Sequence, residues 1–262
     1  MGEGIILKQC QICKRGQVTP FVIAGIIIFI ILALFIYSQS IQKKPKIKIE
    51  EVVFPFDIKE VESRIESCLK ELTETAIKIM AFNGGFIDLG NSPVDPLEFS
   101  FLGDTARITL AYGLLGKDIV LISNYGLEYQ LNGYLTEKIP KCVKFDALMI
   151  DYEGDIKVDV RVVPKSVIVN VSYPLVLKKG GLVVRTKEKY LLKMKSQIWE
   201  MRELAERIVK QQRENEGFVI LSDLVAPGLN IRVAPINEIT TVFDIRDDSG
   251  LIFMFGSRGV FE

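Results

Sequence analysis

The residues best suited to chemistry in this chain are its four cysteines, because the chain contains no histidine. Without imidazole, the chain lacks the usual general base near neutral pH and the usual zinc ligand, and it cannot form a Ser-His or Cys-His nucleophile. The sequence also has no Walker phosphate loop, no dinucleotide-binding glycine motif, no Gly-x-Ser-x-Gly elbow and no zincin motif. We therefore expect no catalytic residue, no cofactor and no metal ion, and the chain is not predicted to be an enzyme.

The cysteines fall into two pairs. Cys10 and Cys13 form a Cys-x-x-Cys motif near the start of the chain, without the second pair of ligands that a tetrahedral zinc site needs. A zinc clasp between two such tails, acylation near a membrane and two free thiols all remain open.

Cys68 and Cys142 lie 74 positions apart and are predicted to form a disulfide. Closing a loop of this length restricts the unfolded chain by about 4 kcal/mol. The alternative is two buried thiols that pack as small apolar groups.

Charged and polar clusters give weaker signals. The acids Asp151, Glu153, Asp155 and Asp159 lack the spacing and the late glutamate of an EF-hand loop, so we interpret them as solvated turn and strand residues. The triplet Asn170-Val171-Ser172 matches a glycosylation acceptor but falls within a predicted strand. The 33 basic and 33 acidic residues balance, so no nucleic-acid partner is predicted.

A long apolar segment near the start of the chain predicts a transmembrane helix. Residues 18–37 carry no charge, and at about 1.5 Å per residue they would cross a hydrocarbon core of roughly 30 Å. Residues 26–32 are all large and apolar, so they cover every face of the helix, whereas a helix on the surface of a soluble domain keeps a polar face. We assign the transmembrane helix to residues 17–37, with the lipid bilayer as partner. The helix is also expected to offer a seam for self-association or for contact with other surface proteins.

The segment Lys14-Arg15-Gly16-Gln17 directly precedes this apolar run. It resembles the processing site of archaeal type IV pilin-like proteins, in which a membrane peptidase cleaves after the glycine. The resemblance implies cleavage between Gly16 and Gln17, which would make residues 1–16 a leader. The alternative is an uncleaved signal anchor in which residues 1–16 are a cytoplasmic tail. The sequence departs from the pilin pattern at Pro20 and Phe21, because many pilins carry an acid near the fifth mature position.

The lysine-rich residues 38–49 are interpreted as a basic stalk, and residues 50–262 as one domain, although two subdomains divided near residue 120 are an alternative. The numbers of positively charged residues on the two sides of the predicted helix are nearly equal, so they do not decide its orientation in the membrane. The pilin-like site requires a cytoplasmic amino terminus, and the cysteine pair Cys68 and Cys142 suits an oxidising space. These two arguments favour a single-pass protein of the cell membrane with an extracytoplasmic domain.

Periodicity predicts an α+β domain, with amphipathic helices packed on a largely antiparallel sheet. The predicted helices span about 25 residues after Asp57, residues 125–139 ended by Pro140 with Cys142 just beyond, and residues 197–215. The third helix is expected to carry its charges on a solvated face, with pairs Glu203–Arg207 and Glu206–Lys210. The predicted strands are residues 86–89, 156–160, 167–177, 182–192, 218–221, 231–233, 238–245 and 251–255, and residues 256–259 are expected to form a tail turn.

Segments 61–69, 82–87 and 139–143 also resemble segments of uncharacterised single-span surface proteins of small-genome archaea, a resemblance that implies no activity. The leading hypothesis is therefore a membrane-anchored surface protein, pilin-like in its anchor, with a structural, adhesive or interaction role. The alternatives are a membrane-tethered hydrolase or ligand-binding receptor, and a scaffold on the cytoplasmic side of a membrane complex.

Overall fold

The computed structural model describes residues 28, 30, 31, 58–101, 106–143, 149–152, 155–179, 182–215 and 218–259. Ile28, Ile30 and Ile31 are helical and exposed; the rest of the predicted membrane helix, the predicted processing site and the basic stalk lie outside the described residues. Among the residues that are described, no helix combines the length and the apolar character needed to cross a membrane. The other described residues belong to one compact unit, Phe54–Glu262.

The described part of this unit is built from three helices and 13 strands. The helices are α1 (Ile58–Phe82), α2 (Asn124–Cys142) and α3 (Ile198–Glu214). The strands are β1 (Leu97–Phe101), β2 (Ala106–Leu110), β3 (Tyr112–Leu115), β4 (Asp118–Ile119), β5 (Met149–Tyr152), β6 (Lys157–Val163), β7 (Ser166–Ser172), β8 (Leu175–Lys179), β9 (Leu182–Arg185), β10 (Lys189–Lys195), β11 (Leu229–Pro235), β12 (Thr240–Asp247) and β13 (Ile252–Arg258).

The strands form four sheets in the orders β1-β2, β10-β7-β6, β11-β12-β13-β3-β4 and β5-β8-β9. Every pair in the described residues is antiparallel except β13 with β3, which is parallel. The register of this parallel pair shifts between Gly256 and Ser257. Gly256 has little room for a side chain, because a Cβ atom there would lie 2.9 Å from Cδ2 of Leu97. The predicted α+β class with largely antiparallel sheets is therefore confirmed.

Helix α1 has the length and the buried face that its sequence predicts. Its apolar residues recur three and four positions apart, so one face is buried against α2, β10 and β13. The helix ends where Gly84 and Gly85 adopt positive φ angles of 73° and 103°, which a residue with a Cβ rarely adopts. Gly85 N–H then donates to the carbonyl oxygen of Met80 at 2.7 Å, which satisfies an acceptor in the last turn.

Helix α2 extends further than predicted. Ser123 caps it by accepting a hydrogen bond from Gly126 N–H at 3.0 Å. The prediction that Pro140 ends the helix is wrong, because the proline removes only its own N–H while Val143 N–H still donates to Ile139 at 3.0 Å. Cys142 is consequently the last residue of α2, not a residue beyond it.

Helix α3 begins and ends within one residue of the predicted limits, and its apolar face is fully buried. The predicted pair Glu206–Lys210 is present at 2.6 Å. The prediction for Glu203 is wrong, since this carboxylate accepts hydrogen bonds from Asn124 and Arg202. The Arg202 side chain is only 12% exposed and its Nε also donates to the carbonyl of Ile122, so this face of α3 is a polar contact with the start of α2.

Several strand predictions are corrected. Residues 86–89 lead into a 3-10 helix, Leu89–Asn91, whose first turn is capped by Asp88, and residues 218–221 precede another 3-10 helix, Leu221–Leu224. Residues 167–177 and 182–192 each form two strands that belong to different sheets, because Pro174 interrupts the first and residues 186–188 interrupt the second. Residues 256–258 continue β13, so they are not the predicted tail turn.

Candidate functional site

Strand β11 forms one edge of the five-stranded sheet, and its outer side meets no other strand in the described residues. Its inner side pairs with β12 along its whole length, from Leu229 opposite Asp247 to Pro235 opposite Thr241. An unpaired edge presents backbone donors and acceptors to which another strand can be added. The outer side of β11 is therefore a candidate site for contact with another polypeptide.

The hydrogen bonds of β12 show which groups of β11 point outward. Ile236 N–H donates to the carbonyl oxygen of Thr240 at 2.9 Å, and Asp247 N–H donates to the carbonyl oxygen of Leu251 at 3.1 Å. Even-numbered residues of β12 therefore bond to β11 and odd-numbered ones to β13, because bonding alternates along a central antiparallel strand. In the register of β11 with β12, the backbone N–H and C=O groups of residues 230, 232 and 234 therefore point inward, towards β12. Those of residues 229, 231, 233 and 235 point outward.

Two outward N–H groups of this edge have no hydrogen-bond partner among the residues that the structure describes. Leu229 N–H donates to Ala226 at 3.1 Å, and Pro235 has no N–H to donate. The N–H groups of Ile231 and Val233 remain, together with the outward carbonyl groups on either side of them. The edge thus has the donor and acceptor spacing that an added antiparallel strand requires.

The side chains of Ile231 and Val233 extend the core of the sheet to this open edge. Val233 lies opposite Phe243, which stacks on Phe255 with ring centroids 5.2 Å apart. Both phenylalanines are fully buried, whereas Val233 is 44% exposed. An added strand with apolar residues on this face would continue the row and remove apolar surface from water, which is favourable by about 25 cal/mol per Å².

The opposite face of β11 carries one charge, on Arg232. Arg232 lies opposite Asp244 of β12, but Asp244 accepts hydrogen bonds from Arg246 at 2.8 and 2.9 Å. The hydrogen bond to Asp244 raises the pKa of Arg246, so that the guanidinium stays charged. Asp244 is thus already bound by Arg246. The exposed Arg232 therefore favours a partner that carries a hydrogen-bond acceptor or an acid beside it.

The segment that joins α3 to β11 also exposes apolar side chains. Phe218 and Val225 are both about three-quarters exposed, and Ile220 is half exposed. This segment is anchored beneath them by Leu224, which is buried, and by a hydrogen bond of 3.0 Å from Ile220 N–H to Gln211. Exposed aromatic and aliphatic groups close together in the chain are typical of contact surfaces.

A groove of about 470 Å³ lies elsewhere, between α1, the end of β10 and the turn that joins β12 to β13. Its wall includes Glu74, Lys78, Lys195 and Asp247. The Oδ1 atom of Asp247 accepts hydrogen bonds from Ser249 N–H, Ser249 Oγ and Leu251 N–H, so this acid stabilises its own turn. The groove mixes charges of both signs and offers no converging set of groups for one ligand class.

Of the three residue pairs that the sequence singles out, one lies within the described residues. Cys68 on α1 and Cys142 on α2 form a disulfide, with Cα atoms 6.2 Å apart. Gly16 and Gln17, the hypothetical processing site, lie outside the described residues, as do Cys10 and Cys13. Val171, in the middle of the glycosylation-like triplet, is buried in the central strand β7.

The sequence predicts a strand at residues 231–233 but does not show that this strand lies at the edge of a sheet. The stretch from Val233 to Ile236 is apolar, which is typical of a strand buried on both faces, yet the structure leaves it exposed. Within the described residues no group of three or more Cys, Asp or Glu side chains is arranged to hold a metal ion. The chain matches no protein-family model, no curated protein and no solved structure.

Proposed function

We propose that this chain is a membrane-anchored surface protein with a structural or interaction role, and that its domain makes contact through the outer edge of β11. The observation that carries the proposal is the pair of outward N–H groups of Ile231 and Val233, whose own apolar side chains are partly buried at Ile231 and exposed at Val233. Backbone donors give affinity for an added strand and apolar side chains give specificity. The anchor is the predicted helix of residues 17–37, and the domain is proposed to be extracytoplasmic.

Photo-crosslinking in native membranes tests the contact. A photoreactive residue replaces Ala234, which is exposed on β11, and in a matched control it replaces Glu71, which is exposed on α1. We expect discrete adducts of defined mass from position 234 and none of the same mass from position 71. Equal labelling from both positions, or none from position 234, would contradict an interaction role for this edge.

Two further measurements test the anchor and the side of the membrane. Mass spectrometry of the mature amino terminus should find Gln17 first if the pilin-like processing occurs, and an intact Met1 would exclude it. Protease added to sealed cells should digest the domain if it is extracytoplasmic. Survival of the domain in intact cells, with digestion after lysis, would instead favour the cytoplasmic scaffold.

A further inference from the structure

We infer that the partner of β11 is the β11 strand of a second copy of this chain, paired antiparallel about a two-fold axis that passes through Ile231. This inference rests on the proposed function, because it names the partner of the same edge. A two-fold contact uses the same surface on both copies, so the edge must be complementary to itself.

The outward backbone groups of β11 are self-complementary. Bonds form only where outward residues of one copy face outward residues of the other. Both outward donors, Ile231 and Val233, face a residue of β11 only in the symmetric registers centred on Ile231, Arg232 or Val233. In the register centred on Ile231, the N–H of Ile231 donates to Ile231 of the second copy, and the N–H of Val233 donates to Leu229 of the second copy. Every outward N–H that the edge offers is then used. The N–H of Leu229 already donates to Ala226, so this pairing does not require it.

Charge and side-chain size select among the three registers. The register centred on Arg232 sets two guanidinium groups directly opposite each other, at a backbone separation of about 4.5 Å, which is unfavourable. The register centred on Val233 sets Arg232 beside Ala234 and Ile231 beside Pro235. The register centred on Ile231 sets Arg232 beside Asn230, whose amide oxygen accepts a hydrogen bond, and joins the aliphatic side chains of Leu229, Ile231 and Val233 into one continuous row.

Anchoring in one membrane allows a contact of this small size to hold two copies of the chain together. A single added strand buries less surface than the roughly 1,200–2,000 Å² of a typical stable interface. Two copies held in the same membrane meet at an effective concentration far above that of free proteins, so a weak edge contact becomes populated.

Disulfide crosslinking of the full-length chain in vesicles tests both the partner and the register. Each variant carries Cys10→Ser and Cys13→Ser, so that these two thiols cannot crosslink, and one added cysteine by Ile231→Cys, Arg232→Cys or Val233→Cys. Only a residue on the axis lies directly opposite itself, at the separation of about 5.5 Å that suits a disulfide. We expect the largest yield of crosslinked dimer at position 231, at least threefold above position 233, and background yield from a Glu71→Cys control.

A second pair of variants separates edge pairing from association through the membrane helix. In the Ile231→Cys chain, Val233→Pro removes an outward donor without touching the ladder to β12, and Val233→Ala keeps that donor. We expect Val233→Pro to reduce the dimer yield at least tenfold and Val233→Ala to preserve most of it. Equal yields from both variants would overturn the proposal, and a maximum at position 232 or 233 would overturn the register.

The photo-crosslinking described above distinguishes the two proposals. Adducts at position 234 with the mass of two copies support the pairing inferred here. Adducts with any other protein would overturn the second-copy partner while leaving the interaction role of β11 intact. Absence of all adducts would contradict both.

Discussion

The outer edge of β6 is covered by polar side chains of α2, whereas the outer edge of β11 meets no strand or covering side chain among the described residues. Glu128 accepts a hydrogen bond from Val162 N–H at 2.9 Å, and Asn132 donates to the carbonyl of Val158 at 2.6 Å. Side chains of a helix thereby replace the strand that would otherwise continue the sheet. Among the described residues, no side chain donates to or accepts from the outward backbone groups of Ile231 and Val233 in this way, so the two edges differ in how they are covered.

The edge of β10, on the far side of the same sheet as β6, shows a third arrangement. Its exposed residues include Lys189, Lys193 and Lys195. Lysines on an edge strand repel or hinder the approach of a second strand, which is a common protection against unwanted pairing. In β11 the single charge of Arg232 gives far less protection, so the contrast between the edges is one of charge as well as of covering.

The largest expected effect comes from releasing the helix that covers β6. The disulfide between Cys68 and Cys142 fixes α2 to α1, and we expect the double change Cys68→Ala and Cys142→Ala to lower the free energy of unfolding by about 4 kcal/mol. Chemical denaturation of the full-length chain in detergent, followed by fluorescence of the single tryptophan Trp199, measures this loss. Cys10→Ser with Cys13→Ser is the matched control. A loss below about 1 kcal/mol would show that α2 stays in place without the covalent link.

A smaller effect is expected from uncovering β6 at one position. Glu128→Ala leaves the N–H of Val162, a buried residue, without its acceptor, which should cost about 2 kcal/mol. Glu128→Gln keeps an acceptor oxygen and should cost less than half as much. Hydrogen exchange of the Val162 amide gives a second readout, because exchange should accelerate in the alanine variant alone. Similar exchange rates in both variants would mean that Glu128 does not cover this edge.

The smallest effect on stability is expected at the open edge. Val233→Pro removes an outward N–H that pairs with nothing in the described domain, so it should change the free energy of unfolding by less than about 1 kcal/mol. Arg232→Pro removes an inward N–H of the ladder to β12 and is the contrasting variant, with an expected loss of several times that size. Equal losses from the two variants would refute the assignment of inward and outward groups.

The helices of this domain could be predicted closely because their signals are local. Leu127, Leu131, Leu135 and Ile139 recur one turn apart and are all fully buried in α2. The helix limits that were wrong involve Pro140, whose effect depends on which hydrogen bond the backbone still makes. The disulfide between Cys68 and Cys142 could also be predicted, because closing a long loop restricts the unfolded chain.

The strand edges could not be predicted, because edge status depends on strand order and order is a long-range property. Glu128 and Asn132 look like solvated residues on the polar face of a helix, and only the position of β6 gives them backbone partners. Arg202 likewise resembles a surface charge until the loop at Ile122 is placed beside it. The sequence around Ile231 identifies a strand but does not specify which side of it stays unpaired.

The parallel pairing of β13 with β3 has a consequence for how the domain is made. These strands lie side by side at the centre of the five-stranded sheet, yet the three-stranded sheets and two helices separate them along the chain. During synthesis, the edge of β3 that pairs with β13 lacks this partner until the ribosome has added β13. Pairing strands so far apart in the sequence closes a large loop and is therefore slow. A nascent chain stalled before β13 would expose that edge and become a target for chaperones or proteases.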